Sequence, residues 1–199
     1  MGDLKNVLHH YLRQQREALA WKLEGLGERA ARMPMTDTGS NLLGIVKHVA
    51  AVEAAYLGPV FGRPGAPELP WLFAPAPPED NADMWATEDQ TVDWVVAAYR
   101  RVWERSDQTI AALPLEAEGF VPWWGPEGSQ VTLGQVLVHV IAELARHLGQ
   151  ADILREQADG RAGYLPGFDN LPENSRQWWN DYHARLKTLA ESFPEPHPG

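Results

Sequence analysis

The sequence contains no cysteine among its 199 residues. This absence excludes disulfides, cysteine zinc sites, iron–sulfur clusters and a nucleophile that is a thiol of the protein. Any thiol chemistry must therefore use a thiol that arrives on a small molecule. The sequence after Met1 also lacks a basic segment followed by an apolar run, and we find no apolar stretch of 18 residues. We therefore expect a cytoplasmic protein that neither carries a signal peptide nor spans a membrane.

Positive charge is scarce as well. Lys and Arg together number 17 against 27 Asp and Glu, which leaves a net charge of −10 when histidine is neutral. Proteins that bind nucleic acids need a basic face to neutralise phosphates, so we expect no nucleic-acid partner. The hydrophobic share of 44% is that of a globular chain, and the length suits one domain covering residues 1–199.

Apolar residues recur at steps of three and four over long segments, which predicts an all-α fold. The first such segment begins at Asp3, a residue that can cap a helix, and predicts a helix to about Leu26. A second predicted helix follows Asn41 and ends near Gly58-Pro59. A shorter last helix is predicted over residues 173–191.

Two further helix starts are indicated by a capping-box pattern. Thr87 and Thr132 are each followed by a Gln three residues later, so each is predicted to be an N-cap. The predicted ranges are 87–113 for the third helix and 132–158 for the fourth.

The remaining segments are predicted to be loops. Residues 62–86 are rich in Pro and Gly, including the run Pro75-Ala76-Pro77-Pro78, and residues 114–130 contain Trp123-Trp124-Gly125-Pro126. We find no alternating pattern typical of a strand. The sequence therefore predicts a four-helix bundle with long loops and a short fifth helix at the C-terminal end.

The predicted fourth helix carries three polar residues on one stripe. His139, Glu143 and His147 are four residues apart, and steps of four advance only about 40° around a helix. A carboxylate next to an apolar face needs a partner, and a cation can supply one. Glu143 and His147 lie within reach of one ion, so this pair predicts part of a metal site.

A third ligand must come from elsewhere, and the residues alone leave it open. His48 stands among apolar residues in the second predicted helix, where it could also be a core histidine bonded to backbone or to Glu143. Asp152, Glu53 and His139 are the rival third ligands. His139 lies about 12 Å along the helix axis from His147, so we predict that it packs nearby or orients Glu143 and does not bind the ion.

Two sequence motifs resemble the DinB-like superfamily of metal-binding four-helix bundles. The first is the mid-helix histidine of Gly44-Ile45-Val46-Lys47-His48. The second is the run of His139, Glu143 and His147, each separated by three residues and followed by Gly149-Gln150. The superfamily includes the YfiT-like metal-dependent hydrolases, the bacillithiol transferases and the mycothiol-dependent maleylpyruvate isomerases. The similarity in length and helix order extends over nearly the whole sequence.

This resemblance implies a divalent metal held by His48, Glu143 and His147. Many members have histidine at the middle position, and Glu143 looks like the mycothiol-dependent isomerase branch. Zinc is the metal we expect, with nickel, iron and manganese as alternatives.

The implied function is a metal-dependent transferase that joins a small-molecule thiol such as mycothiol to an electrophile. The alternatives are a metal-dependent hydrolase on the same site and a non-enzymatic metal-binding stress protein. The expected partners are the thiol and the electrophile, and a homodimer is an open alternative to a monomer. We predict that the loops at 62–86 and 114–131 shape the electrophile pocket, with Trp123 or Trp124 as a wall.

Overall fold

Four long helices carry the core of the protein in the computed structural model, which describes residues 3–73 and 79–194. The prediction of an all-α fold is confirmed, with a small two-stranded sheet in addition. The helices are α1 (Leu4–Trp21), α2 (Glu28–Arg32), α3 (Leu42–Leu57), α4 (Val92–Ala112), α5 (Leu133–Asp159) and α6 (Arg176–Glu191), and the strands are β1 (Glu118–Val121) and β2 (Ser129–Thr132).

Helix α3 lies at the centre of the bundle, packed against both α4 and α5, and α1 packs against α5. The segment Leu42–Phe61 is long and apolar enough to cross a membrane, with a mean hydropathy of 1.2, so the prediction that no such stretch exists was wrong. However, 78% of this segment is buried inside the fold. Its apolar character is therefore accounted for by its place in the core.

The first helix is shorter than predicted. It begins after Asp3, whose side chain accepts a hydrogen bond from the Lys5 backbone, as expected of a cap. It ends at Trp21 rather than Leu26, because the next residues form turns and Gly25 takes a positive φ of 75°. The short helix α2, which follows these turns, was not predicted.

The start of α4 corrects a second prediction. Thr91, and not Thr87, is the N-cap, and its hydroxyl accepts from the backbone N–H three residues on at 3.2 Å. Half of the predicted capping box does form, since the Gln90 side chain accepts from the Thr87 backbone at 3.2 Å. Arg32 of α2 donates to the carbonyls of Ala86, Thr87 and Gln90, and this contact holds the segment as a turn before the helix.

The predicted loop at 114–130 contains the hairpin of β1 and β2. The strands pair antiparallel, with Glu118 opposite Thr132 and Val121 opposite Ser129. The prediction of no strand was therefore wrong, because strands of four residues are too short to show a clear alternation. Strand β2 leads directly into α5, where Thr132 accepts from the Gln135 backbone at 3.3 Å as the predicted N-cap.

The C-terminal helix α6 lies outside the core. It begins at Arg176 after the N-cap Ser175, slightly later than the predicted residue 173, and none of its residues is buried. In the predicted loop at 62–86, Trp71 and Leu72 pack against the core. The run Pro75-Ala76-Pro77-Pro78 and the tail at 195–199 lie outside the described residues.

Candidate metal centre

The packing of α3 against α5 brings the three predicted ligands to one place. His48 projects from α3, and Glu143 and His147 project from α5. The His48 and His147 rings meet edge to face, with centroids 4.6 Å apart. Glu143 Oε2 lies 3.7 Å from His147 Nε2.

These distances suit a metal site. Two ligand atoms that bind one tetrahedral zinc ion at about 2.0–2.1 Å are about 3.4 Å apart, close to the distance between Glu143 and His147. The side chains of His147, His48 and Glu143 are 12%, 21% and 34% exposed, so an ion and a substrate can reach them from solvent. Within residues 3–73 and 79–194, no three His, Asp or Glu side chains already converge as a complete metal-binding group. The three predicted ligands are thus neighbours through His147 and do not form a closed metal site in this structure.

Both histidines have one ring nitrogen tied to an oxygen. His48 Nδ1 lies 2.6 Å from Asp83 Oδ2, and His147 Nδ1 lies 2.9 Å from Gln150 Oε1. Since these oxygens accept hydrogen bonds, each Nδ1 is the donor in its pair, and in the neutral ring Nε2 then has a free lone pair. Metal-binding histidines commonly have this arrangement, in which the outer partner sets the tautomer and the ring orientation.

The local electrostatics favour the neutral form of His147. Burial lowers the pKa of His147, and the neighbouring His48 lowers it further. The hydrogen bond from His48 lowers the pKa of Asp83 and keeps this carboxylate charged. A neutral imidazole is the form that binds a metal, so His147 is prepared to be a ligand near neutral pH.

Asp83 is the residue that sequence reasoning missed. It lies in the segment before α4, 35 residues away from its partner His48. Lys47, which precedes His48 in α3, fastens this segment by donating to the carbonyls of Ala82 at 2.6 Å and Trp85 at 2.7 Å. Lys47 therefore places the Asp83 carboxylate against the histidine.

The same segment approaches α3 closely at a second point. A Cβ atom at Gly44 would collide with the carbonyl of Met84, and Asn41 donates to that carbonyl at 3.1 Å. The glycine of the family-like motif therefore makes room for the chain that carries Asp83. This need for a glycine could have signalled a close backbone contact, although nothing in the sequence names its partner.

Two rival ligands bind other groups. Glu53 is fully buried and pairs with Arg16 at 2.7 Å, and Asp152 pairs with Lys22 at 2.7 Å. His139 has a different environment, because its ring packs against Tyr56 and Trp124 with centroid distances of 4.7 and 4.9 Å. This is the environment of a packing residue in the wall next to the site.

An open pocket of about 460 Å³ lies along α3, and its lining includes Asp83, the hydrogen-bond partner of His48. It extends along α3 beyond His48 and is mostly apolar. Asp83 forms one edge of it, Leu72 comes from the predicted loop at 62–86, and Trp123 comes from the loop between β1 and β2. Its lining residues are Ala51, Val52, Ala55, Tyr56, Pro59, Leu72, Asp83 and Trp123.

A model of the mycothiol-S-transferase family matches residues 7–160, which include every residue of the candidate site. The crystal structure of a conserved protein from Enterococcus faecalis is similar in fold, with a TM-score of 0.64 and 12% identity, and the match covers 81% of this chain and 100% of that chain. None of the curated proteins matches the sequence.

Proposed function

Since the chain belongs to the mycothiol-S-transferase family, we propose that it is a metal-dependent enzyme that transfers a small-molecule thiol to an electrophile. The observation that carries this proposal is the pair of imidazoles of His48 and His147. Their Nδ1 atoms are tied to Asp83 and Gln150, and the Nε2 of His147 lies 3.7 Å from Glu143 Oε2.

The proposed ligands are His48, Glu143 and His147. Two neutral imidazoles and one carboxylate suit zinc and leave a position open, as in catalytic zinc sites, and nickel, iron and manganese accept the same donors. A divalent metal bound there would lower the pKa of an incoming thiol and so raise its thiolate fraction. The thiol is an external cosubstrate because the chain has no cysteine, and mycothiol is the thiol that the family name supplies.

The residues around the proposed site have distinct tasks. Asp83 and Gln150 keep the two imidazoles in one tautomer and orientation. The apolar lining of the neighbouring pocket binds the body of the electrophile and removes water from it. Trp123, which forms one wall, supports the choice of this pocket as the electrophile site.

We further propose a cytoplasmic location, which suits an enzyme that uses a small-molecule thiol of the cell. A homodimer is the proposed assembly. Leu4, Val7 and Tyr11 on the first turns of α1 support it, because they are apolar, three or four residues apart and 60%, 40% and 52% exposed. Sedimentation equilibrium would measure the assembly directly, and a monomer at all concentrations would reject the dimer.

The activity is tested by thiol consumption. Purified protein loaded with zinc is mixed with mycothiol and a panel of model electrophiles, and the loss of free thiol is followed. We expect a rate that a chelator removes, that added zinc restores, and that His147→Ala abolishes. Asp152→Asn is the matched control, since this carboxylate lies on the same helix but binds Lys22.

The same assay separates the rival functions. If no thiol gives a metal-dependent rate while ester or amide substrates are cleaved, the site belongs to a hydrolase. If neither class of substrate reacts and the metal has no open position, the protein is a non-enzymatic metal-binding protein.

A further inference from the structure

The hydroxyl of Tyr56 accepts two hydrogen bonds from neighbouring indoles. Trp124 Nε1 donates to it at 2.7 Å and Trp123 Nε1 donates to it at 3.0 Å. Both indoles come from the loop between β1 and β2, whereas Tyr56 belongs to α3. A phenolic oxygen has two lone pairs, and an indole N–H can only donate, so both lone pairs of Tyr56 are occupied.

This arrangement leaves the hydroxyl proton of Tyr56 without a partner. Among the residues that the structure describes, no hydrogen bond is donated by that hydroxyl. A buried tyrosine normally donates its proton as well as accepting, and Tyr56 is only 7% exposed. The two indoles therefore orient the hydroxyl so that it acts towards a ligand as a donor and not as an acceptor.

Tyr56 also lines the pocket of about 460 Å³ along α3. Asp83, which bonds to His48, forms another part of the same wall. A molecule in this pocket thus touches both Tyr56 and Asp83, the hydrogen-bond partner of His48. The remaining lining is mostly aliphatic and aromatic, and it favours a small apolar molecule over a charged one.

We propose that Tyr56 donates its hydroxyl proton to an oxygen of the electrophile during thiol addition. This inference rests on the proposed function and narrows its substrate class. The electrophile is a small apolar compound whose reaction with a thiol places negative charge on oxygen, namely an epoxide or an α,β-unsaturated carbonyl compound.

For an epoxide, the reaction balances without any further reactant. The thiol releases its proton to water, and the electron pair on sulfur forms a bond to one ring carbon. The bond from that carbon to oxygen breaks, and its electron pair stays on the oxygen, which takes the proton of Tyr56. The phenolate then takes a proton from water, and the product is a hydroxy thioether. A hydrogen bond from Tyr56 is strongest where this oxygen becomes negative, so it favours the transition state over the bound substrate.

The first test compares two electrophiles of similar size in the zinc-loaded protein with mycothiol. Styrene oxide leaves negative charge on an oxygen of the product, whereas benzyl chloride releases chloride and needs no proton. We expect Tyr56→Phe to lower the ratio of the styrene oxide rate to the benzyl chloride rate by about 100-fold, the scale of losing one general acid or oxyanion donor. Tyr182→Phe, on the exposed helix α6, is the matched control and should keep the ratio of the unmodified protein.

A structural role of Tyr56 would give a different result. Loss of the hydroxyl also frees the two indoles, and a displaced loop would slow both electrophiles alike. A ratio that stays within threefold of that of the unmodified protein therefore overturns the proposal, whatever the absolute rates. If the unmodified protein transfers the thiol to no electrophile of the panel, the proposed function fails, and the next measurement still decides the role of Tyr56.

The second test measures binding alone, without thiol or metal. Acetophenone and ethylbenzene have similar shapes, but only acetophenone has a carbonyl that accepts a hydrogen bond. In NMR titrations we expect acetophenone to bind about 2- to 10-fold more tightly than ethylbenzene, and we expect Tyr56→Phe to remove this preference. Equal affinities in the unmodified protein, or a preference that persists in Tyr56→Phe, would overturn the assignment of Tyr56 as the donor.

Discussion

Helix α3 carries two polar clusters that use similar residues in different ways. One cluster surrounds Glu53, which is fully buried and receives hydrogen bonds from Arg16 at 2.7 and 3.1 Å. Arg16 also donates to Asp107 at 2.7 Å, and His9 lies 2.8 Å from the same carboxylate. The other cluster surrounds His48, whose side chain is 21% exposed and whose bonded partner is Asp83.

The two clusters differ in how many of their polar atoms are already hydrogen-bonded. In the Glu53 cluster both carboxylate oxygens have a guanidinium partner, and Arg16 is 1% exposed, so neither a ligand nor water has room to bind. In the His48 cluster the Nδ1 of each imidazole is bonded, whereas the Nε2 of His147 lies 3.7 Å from Glu143 Oε2, too far for a hydrogen bond. A satisfied and closed cluster stabilises the fold, whereas a half-satisfied and open one can bind a ligand.

The largest expected effect is the loss of the closed cluster. Glu53→Ala leaves the buried guanidinium of Arg16 without its main partner, and we expect the free energy of unfolding to fall by about 3–5 kcal/mol. Urea denaturation would measure this change. Glu191→Ala is the control, because the Lys187–Glu191 pair is 66% exposed at both ends and its loss should cost under about 1 kcal/mol. Equal losses for the two variants would contradict the claim that the closed Glu53 cluster stabilises the fold more than an exposed ion pair does.

The open cluster should stabilise the fold only when a metal is present. At a free zinc concentration 100 times the dissociation constant, binding should raise the free energy of unfolding by about 2.7 kcal/mol. His147→Ala should remove this gain, as measured by thermal unfolding with and without zinc. Asp152→Asn should keep it, and a loss of the gain in that variant would show that the ion lies elsewhere on α5.

A smaller effect, on zinc affinity, is expected from Asp83, which is hydrogen-bonded to His48. Asp83→Ala removes the acceptor of the His48 Nδ1–H, and we expect zinc affinity to fall about 10- to 100-fold. Competition with a chromophoric chelator would measure it. Asp83→Asn keeps an acceptor oxygen, so its zinc affinity should lie between those of Asp83→Ala and the unmodified protein. Asp80→Asn, at an exposed position in the same segment, is the control and should bind zinc as the unmodified protein does. Full affinity in Asp83→Ala would contradict an orienting role.

The smallest effect on zinc affinity is expected from Gln150, the hydrogen-bond partner of His147. Gln150 is exposed, so water can replace its side-chain oxygen as the acceptor for His147 Nδ1. Gln150→Ala should therefore lower zinc affinity by about 10-fold or less, in the same chelator competition. A loss larger than that of Asp83→Ala would reverse the order of the two positioning residues.

Local signals in the sequence predicted much of the bundle. The apolar spacing located α3 and α5 closely, and Thr132 is the N-cap of α5 as its capping box indicates. The same pattern failed at Thr87, because Arg32 binds the carbonyls there and the helix starts at Thr91 instead. A tertiary contact of this kind overrides a local signal and leaves no trace in the nearby sequence.

In the candidate site, too, local signals were informative and a tertiary contact was not visible in the sequence. The spacing of Glu143 and His147 suggested a metal pair, and the family resemblance pointed to His48 among several rivals. The structure brings these three together. Asp83 could not be found in this way, because it belongs to a loop that the side chains of Lys47 and Asn41 hold against α3 through backbone carbonyls.

The central claim is that His48 of the open cluster is a metal ligand. Elemental mass spectrometry on protein purified without a chelator or a nickel column would measure the metal content per chain. We predict about one divalent metal in the unmodified protein, little in His48→Ala, and only a partial loss in His139→Ala. Full metal content in His48→Ala, together with its loss in His139→Ala, would contradict the assignment.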